Sequence, residues 1–384
     1  SHGYTWTLQG VHSTRAALKR RHAEAELWLE RTAEPLAALA GLVGPPRSHA
    51  VLREAWRALI RSQFHDSISG CTSDAVARRV AARIEDAEVM ARGVARLSLD
   101  TLTGNDPDRA RDNPAGTAPA LVLWNGVPRK RSGIVTADLT AFVGDVLVGP
   151  PGGRAPRRGQ GFSLVSLAGP DGPVPLQILG RARAQERLDS ARHYPDQDEV
   201  EVVRVAFRAP EIPGLGVAML APAKQGGLAA RGKSVARKGK IGNGLVEVSV
   251  DRDGTVRLRD RATGEKFSGL LRVESGGDVG DTYSYAPPPR DRIRSFDGPV
   301  VTRVLAAGPL VAAREVNGRM RVSTGLVGVS TVLSLHDGSP ALRVTLEVDN
   351  QASDHRLRLR FPTGLPGGSA VAGSAFGVTE RPVV

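Results

Sequence analysis

The sequence predicts a multidomain protein of the α-then-β type, in which an antiparallel three-helix bundle is followed by antiparallel β-sandwich domains. Its 384 residues exceed the usual size of one domain, which indicates two or three packed units. Apolar residues recur at helical spacing through the first hundred residues. From Ala120 onward, short β-type runs alternate with turn residues, and the chain holds 44 Gly and 26 Pro, as expected of a sheet-rich region.

The first two helices are predicted from apolar stripes. The first helix should begin at Ser13, a good N-cap residue, and bend or restart at Pro35. Its stripe consists of Leu18, Ala25, Leu29, Leu36 and Val43. The second helix, capped by Ser48 after the break at Gly44-Pro45-Pro46, is expected to stop near His65. Its apolar face consists of Leu52, Ala55, Trp56, Leu59, Ile60 and Gln63.

A third helix is predicted with Thr72 or Ser73 as its N-cap and an end near Thr103. Its apolar side consists of Val76, Val80, Ile84, Ala87, Ala91 and Val94. Three long helices with short connections make an antiparallel bundle, which we place at residues 1–105. Residues 106–118 hold Pro, Gly, Asn and Asp without an apolar period, so they are expected to form a linker.

The rest of the chain is expected to form antiparallel sheets. Its β-type runs are LVLWN, GIVTADL, VEVVRVAF, LVEVSV, TVRLRD, STVLSL and LRVTLEV. A loop-rich stretch at 221–242 divides these runs. We therefore expect a small β-sandwich domain at 119–222 and a larger, incomplete β-domain at 240–384.

The composition of the chain indicates which classes of binding partner are expected. The formal net charge is +12, but the arginines are scattered and aromatic residues are only 4% of the chain, which argues against a nucleic-acid partner. No apolar run approaches the ~20 residues that span a bilayer, so no membrane partner is expected. The single cysteine cannot form an internal disulfide, which favours a cytoplasmic location. The sequence leaves open whether the protein forms a homo-oligomer.

The stretch QFHDSISGC, residues 63 to 71, allows two interpretations. A histidine in the last turn of a helix commonly suits the negative end of the helix dipole, whereas His65 at a rigid bundle end could also be displayed as a metal ligand. Catalytic zinc takes three or four ligands, and no His-x-Asp, His-x-His or HExxH arrangement occurs. Any metal at His65 must therefore take most of its ligands from elsewhere. Cys71 is predicted to be a small residue near a helix start rather than a nucleophile.

Two further stretches carry candidate residues. The Gly- and Asp-rich segment 276–289 should form a tight polar loop, from which Tyr283 can hydrogen-bond and stack on a sugar; a surface turn with structural tyrosines is the alternative. The charged run that includes His355 and Arg356 is expected to be an edge or interface strand rather than a catalytic centre.

Together these stretches resemble glycoside hydrolase family 38, the zinc-dependent α-mannosidases. GVHSTRAALKRRHAEAELWLERTAE resembles the start of that family's middle domain, and AWRALIRSQFHDSISGCTSDAV resembles its second-to-third helix junction. LVLWNGVPRKRSGIV, DGTVRLRDRATGEKFSGLLRVESGGDVGDTYSYAPP and EVDNQASDHRLRLRFPTG follow segments of its C-terminal β-domains, in order. The resemblance covers nearly the whole chain and implies that the larger β-domain is a truncated supersandwich of the galactose-mutarotase type.

The resemblance also implies roles for single residues. His65 matches a zinc ligand, Asp66 a carboxylate that contacts the metal-bound substrate, and Tyr283 a tyrosine that reaches the sugar. Asp281 and the pair His355 and Arg356 are candidates for structural roles nearby.

The family mechanism is retaining, and its nucleophile and other zinc ligands belong to an N-terminal α/β domain that this chain lacks. We therefore expect the chain to be part of a bacterial α-mannosidase with a Zn²⁺ cofactor and a mannoside substrate, and to be inactive alone. HDSISGC also resembles the version found in bacterial enzymes that cleave mannosylglycerate or short manno-oligosaccharides. A non-catalytic carbohydrate-binding or scaffold protein is the rival outside the enzyme class.

Overall fold

The computed structural model describes residues 8–44, 48–112, 120–146, 156–159, 166–188, 196–223, 230–237, 239–374 and 376–382. The helices are α1 (Ala16–Trp28), α2 (Glu34–Val43), α3 (His49–Ser62), α4 (His65–Ser69), α5 (Asp74–Thr103) and α6 (Pro107–Asp112). A 3₁₀ turn at Gln9–His12 precedes α1, and a π-helical turn at Leu29–Ala33 joins α1 to α2. The helical region therefore precedes all the described strands, as predicted.

The bundle core follows the predicted stripes closely. Its buried side chains include Leu18, Ala25, Leu29, Leu36, Leu52, Ala55, Leu59, Val80, Ile84, Ala87, Ala91 and Val94. Four predicted core positions are wrong, because Val43, Ile60, Gln63 and Val76 are exposed. Val43 is the last residue of α2, and the last buried position of that helix is Ala40.

The helix ends differ from the sequence prediction in two places and agree with it in a third. Ser13 ends the 3₁₀ turn rather than capping α1, which starts after Arg15 in a left-handed conformation with φ 50°. The interruption expected at Pro35 is the π-helical turn just before it. Ser73, one of two predicted caps, precedes α5, which ends at Thr103. Apolar spacing reports the buried face of a helix and carries little information about its ends.

Two predicted connections contain regular structure. α6 lies inside the predicted linker 106–118, whose residues 113–118 are outside the described ranges. Part of the predicted break at Gly44-Pro45-Pro46 is likewise outside them. The loop-rich stretch 221–242 holds two short strands, at Val235–Arg237 and Lys240–Gly242.

The described strands form antiparallel pairs throughout, as predicted. They are β1 (Leu121–Trp124), β2 (Arg131–Asp145), β3 (Ser166–Gly169), β4 (Gly172–Pro175), β5 (Gln177–Leu188), β6 (Asp196–Ile212), β7 (Val217–Ala223), β8 (Val235–Arg237), β9 (Lys240–Gly242), β10 (Val246–Val250), β11 (Val256–Asp260), β12 (Lys266–Leu270), β13 (Arg272–Gly277), β14 (Val301–Ala307), β15 (Val311–Val322), β16 (Gly325–His336), β17 (Leu342–Asn350), β18 (His355–Arg360), β19 (Ser369–Ser374) and β20 (Gly377–Pro382).

The strands are arranged in two groups, each with a core of its own, and a smaller apolar cluster of Ala206, Leu310, Val311 and Ala313 joins the groups. The first group pairs β1-β7-β3-β4 and β2-β6-β5, around a core that contains Phe207 and Leu220. The second group pairs β12-β11-β10-β9-β8, β14-β15-β16-β17, β13-β18 and β19-β20. Alternation of buried and half-buried residues along β16 places Leu333 and Leu335 in the second core, as expected for a strand with one face toward the core.

Polar and close backbone contacts fix these units to each other. The buried side chain of Gln177 accepts the N–H groups of Leu310 and Val311 and donates to the Val311 carbonyl. Trp124 packs against the bundle core, and a Cβ on Gly126 would lie 2.8 Å from the carbonyl oxygen of Arg31. The bundle and the β-domains therefore hold each other in defined positions, which matters for residues that meet across them.

Candidate functional site

The QFHDSISGC stretch forms an exposed turn at the end of α3. Phe64 is extended (φ −51°, ψ 134°), and His65 is the first residue of α4. The prediction that His65 occupies the last turn of a helix is therefore wrong. Its side chain is 81% exposed, and Nε2 lies 3.4 Å from Oδ1 of Asp66. The break at Phe64 displays an imidazole and a carboxylate together on the surface of the chain.

Gly70 closes this turn. It adopts the left-handed conformation with φ +81°, and a Cβ there would lie 3.2 Å from the carbonyl oxygen of Thr14. Glycine takes this conformation without the steric cost that other residues meet. Cys71 follows, and its Sγ lies 3.0 Å from the hydroxyl of Ser69. The turn from His65 to Cys71 is consequently compact and held at its C-terminal end.

Two cationic side chains from the start of the bundle bind the carbonyl groups of this turn. Lys19 donates from Nζ to the carbonyl oxygen of Ser69 at 2.8 Å. Burial lowers the pKa of Lys19, an effect that the neighbouring Cys71 opposes and the charge of Arg15 reinforces. Arg15 donates to three acceptors, the carbonyl oxygens of Gly70 (2.9 Å) and Thr72 (3.1 Å) and the carboxylate of Asp74 (2.7 Å). A planar guanidinium with several fixed donors suits such a cluster.

The Gly- and Asp-rich segment is a polar loop between β13 and β14, as predicted. Oδ1 of Asp281 accepts the amide N–H groups of Tyr283 and Ser284, each at 2.9 Å. These hydrogen bonds lower the pKa of the Asp281 carboxyl group. Oδ1 of Asp278 similarly accepts the amides of Gly280 and Ala286. The carboxylate of Asp281 therefore orders the backbone of the loop that carries Tyr283.

Tyr283 meets the turn that holds Asp66. Its side chain is 41% exposed. The neighbouring thiol of Cys71 raises the pKa of the tyrosine hydroxyl, and burial and the nearby charges of Asp66 and Asp281 raise it further. Asp66 and Tyr283 are 217 residues apart in the sequence. The fold nevertheless brings these two predicted substrate-binding residues to one surface, beside His65.

His355 and Arg356 support the loop from behind, on β18, which pairs with β13 as the predicted edge strand. Nδ1 of His355 lies 2.8 Å from the hydroxyl of Ser275, and Nε2 lies 3.0 Å from Oδ1 of Asn350. Because the Asn oxygen can only accept, Nε2 carries the proton in the neutral ring. Burial lowers the pKa of His355. The guanidinium of Arg356 lies 4.5 Å from the ring centroid of Tyr285, a cation–π contact.

The described part of the chain holds no group of three or more His, Cys, Asp or Glu side chains arranged to bind a metal ion. None of its helices is both long and apolar enough to cross a membrane. A separate polar groove of about 610 Å³ opens on the second β-domain. Its lining includes Asp251, Arg252, Asp253, Thr255, Arg272 and Pro362. None of the predicted site residues lines this groove.

Sequence reasoning missed Gly10, Thr14, Arg15 and Lys19, which contact the turn or the loop. A signal for two of them existed. Cations at the N-terminal end of a helix oppose its dipole, yet Arg15 immediately precedes α1 and Lys19 lies in its first turns. Basic residues at that unfavourable position indicate a tertiary contact that compensates them.

Comparison with known proteins places both parts of this arrangement in one family. The family described as "Alpha mannosidase middle domain" matches residues 6–102, and the family described as "Glycosyl hydrolases family 38 C-terminal domain" matches residues 241–384. Together the matches cover well over half of the chain. A protein of Halalkalibacterium halodurans named "Putative mannosylglycerate hydrolase" is 24% identical over 98% of this chain and 45% of its own length.

Two solved structures share the fold. An alpha-mannosidase from Enterococcus faecalis V583 superposes with a TM-score of 0.82 at 22% identity, over 98% of this chain and 46% of that protein. A glycosyl hydrolase family 38 protein from Enterococcus faecalis gives a TM-score of 0.79 at 21% identity, over 98% of this chain and 48% of that protein. The chain thus spans about half the length of these relatives. It belongs to glycosyl hydrolase family 38, of which it holds the middle and C-terminal domains.

Proposed function

We propose that this chain is part of a retaining, zinc-dependent glycosidase that hydrolyses terminal α-mannosides. The observation that carries the proposal is the proximity of the His65-Asp66 turn to Tyr283. The two predicted substrate-binding residues, Asp66 and Tyr283, are both exposed there. Carboxylate and phenol groups at one surface suit a sugar, because a carboxylate accepts hydrogen bonds from hydroxyl groups and a tyrosine offers both a donor and an apolar face.

The exposed imidazole of His65 fits a zinc ligand. Its ring is 81% exposed and the neighbouring carboxylate of Asp66 lies 3.4 Å from Nε2, so a nitrogen donor and a negative charge stand at one accessible point. Zinc usually takes three protein ligands in catalytic sites, and the other ligands would come from outside this chain. When bound, zinc would supply positive charge that polarises and orients substrate oxygens.

This chain's residues would bind and orient the sugar. Asp66 would accept hydrogen bonds from sugar hydroxyl groups, and Tyr283 would donate to or pack against the ring. A retaining glycosidase needs two carboxyl groups, one as nucleophile and one as acid and base. We place the nucleophile outside this chain and expect the isolated chain to show no mannoside hydrolysis.

A second candidate substrate is mannosylglycerate or a short manno-oligosaccharide. The observation in its favour is the name of the Halalkalibacterium relative, which matches almost the whole of this chain. Both candidates present the same terminal α-mannose to Asp66 and Tyr283. They differ in the leaving group, which these residues would not contact.

The test begins with the coding sequence upstream of Ser1, which we expect to encode an α/β region with a His-x-Asp pair. The protein that includes that region is assayed on an aryl α-mannoside and on mannosylglycerate, and its zinc content is measured. His65→Ala should lower zinc affinity and activity by at least about 100-fold, since it removes a direct ligand and loss of an outer-shell partner alone costs 10- to 100-fold. His49→Ala is the matched control, because His49 is an exposed histidine on α3.

Two outcomes would contradict the proposal. Unchanged zinc stoichiometry and affinity in the His65→Ala variant would remove the ligand assignment. Sugar binding without hydrolysis by the longer protein would instead favour the non-catalytic carbohydrate-binding reading.

A further inference from the structure

The two parts of the candidate site come from different domains and need a connection that fixes their separation. The turn from His65 to Cys71 belongs to the bundle, and the loop with Tyr283 belongs to the second β-domain. Residues 10–19, which we name the bridge segment, contact both parts. Its contacts with the turn are the hydrogen bonds of Arg15 and Lys19 described above.

The other end of the bridge segment binds the backbone of the tyrosine loop. The amide N–H of Gly10 donates to the carbonyl oxygen of Tyr283 at 2.7 Å. The hydroxyl of Thr14 lies 2.9 Å from the carbonyl oxygens of both Gly10 and Thr282. The Gly10 carbonyl already accepts the amides of Ser13 and Thr14, so the hydroxyl proton is better used by Thr282.

The approach at Gly10 leaves little room for a side chain. A Cβ there would lie 3.0 Å from the carbonyl carbon and oxygen of Tyr283 and 3.1 Å from the amide nitrogen of Ser284. These are backbone atoms, which cannot rotate aside as the end of a flexible side chain can. Gly10 therefore sets how closely the loop approaches the bundle.

We propose that Gly10 and Thr14 are positioning residues that hold the Tyr283 loop against the His65-Asp66 turn and so set the geometry of the sugar site. The bridge segment binds the loop through Gly10 and the hydroxyl of Thr14, and it binds the turn through the side chains of Arg15 and Lys19. The carbonyl oxygen of Thr14 also faces Gly70 of the turn. The inference that the bridge segment positions the loop is drawn from the observed contacts alone, whereas the inference that it affects catalysis rests on the proposed function.

The chain's single cysteine provides a direct measurement. Cys71 is partly covered, and its thiol is near enough to the Tyr283 hydroxyl to raise the pKa of that hydroxyl. Its alkylation by iodoacetamide, followed by mass spectrometry on the native 384-residue chain, therefore reports whether the loop is in place. Thr14→Val keeps the shape and removes the hydroxyl. We expect alkylation about fivefold faster, the change in equilibrium that follows the loss of one hydrogen bond.

Gly10→Ala should accelerate alkylation at least as much, because the added methyl group pushes the loop backbone away. Gly93→Ala is the matched control, since a Cβ at Gly93 meets nothing within 4 Å, and its alkylation rate should equal that of the wild type. Thr14→Ser retains the hydroxyl group, and its alkylation rate should be close to the slow rate of the wild type. Circular dichroism and cooperative melting check that each variant is folded.

In the longer protein, Thr14→Val should raise KM for an aryl α-mannoside about fivefold, with Thr14→Ser close to wild type. Wild-type alkylation rates in both Gly10→Ala and Thr14→Val would overturn the proposal. Faster alkylation in Thr14→Ser as well as in Thr14→Val would also overturn the proposal, because the hydroxyl group would then not be what holds the loop. The alkylation result on the chain alone is independent of hydrolysis, so failure of this inference is distinguishable from failure of the proposed function.

Discussion

The two parts of the candidate site are stabilised in opposite ways. The His65-Asp66 turn is held by donors distant in sequence, since Arg15 binds carbonyl groups 55 and 57 residues later. The Tyr283 loop is shaped locally, since Asp281 accepts amides only two and three residues later. A part built by long-range contacts depends on the folded bundle, whereas a part built by local contacts keeps its shape as long as its own carboxylates are ionised.

The largest test of this difference is Arg15→Ala. It removes the donors of two backbone carbonyl groups, and hydrogen bonds that involve a charged group contribute roughly 1.5–3 kcal/mol. We expect the free energy of unfolding, measured by urea denaturation, to fall by about 2–3 kcal/mol. Arg20→Ala is the matched control, because its pair with Glu24 is exposed and such surface pairs contribute about 0.5 kcal/mol.

Equal effects of the two arginine substitutions would show that the turn does not depend on its distant donors. In that case the amide hydrogens of residues 67 to 72 should also keep their exchange protection in Arg15→Ala. We expect them instead to exchange faster in this variant, because the carbonyl groups that order the turn lose their partners.

Substitution of glycine at two helix ends gives a smaller, more specific test. Gly70 and Gly104 both follow a helix in the left-handed conformation, with φ +81° and +68°. Gly104→Ala should cost about 1 kcal/mol, the conformational penalty alone, since a Cβ there meets nothing within 4 Å. Gly70→Ala should cost about 2 kcal/mol because its Cβ also approaches the Thr14 carbonyl oxygen. Equal losses in thermal denaturation would mean that the bridge segment does not restrain the turn.

The same contrast explains how much the sequence could predict. Helical spacing identified most of the bundle core, and the density of Gly and Asp identified the Tyr283 loop, because both signals are local. The start of α4 at His65 was missed, because the residue that interrupts the helix is Phe64, which is not one of the usual turn or helix-breaking residues. The meeting of Asp66 with Tyr283 is a property of domain packing, for which a single sequence has no period or spacing. Only the family resemblance related these two residues in advance.

The smallest expected effect is at Asp281, and it tests the local part alone. The amides of Tyr283 and Ser284 hold the pKa of Asp281 below its ordinary value. A carboxyl group with a lowered folded-state pKa stabilises above its unfolded value of about 3.9, and this stabilisation is lost as the pH falls through the folded value. Asp281→Ala should therefore accelerate hydrogen exchange of these two amides at neutral pH, and their protection should no longer fall when the solution is acidified. Asp281→Asn keeps an acceptor oxygen and should retain most of the protection. Unchanged protection in Asp281→Ala would show that the loop is held by the bridge segment rather than by its own sequence.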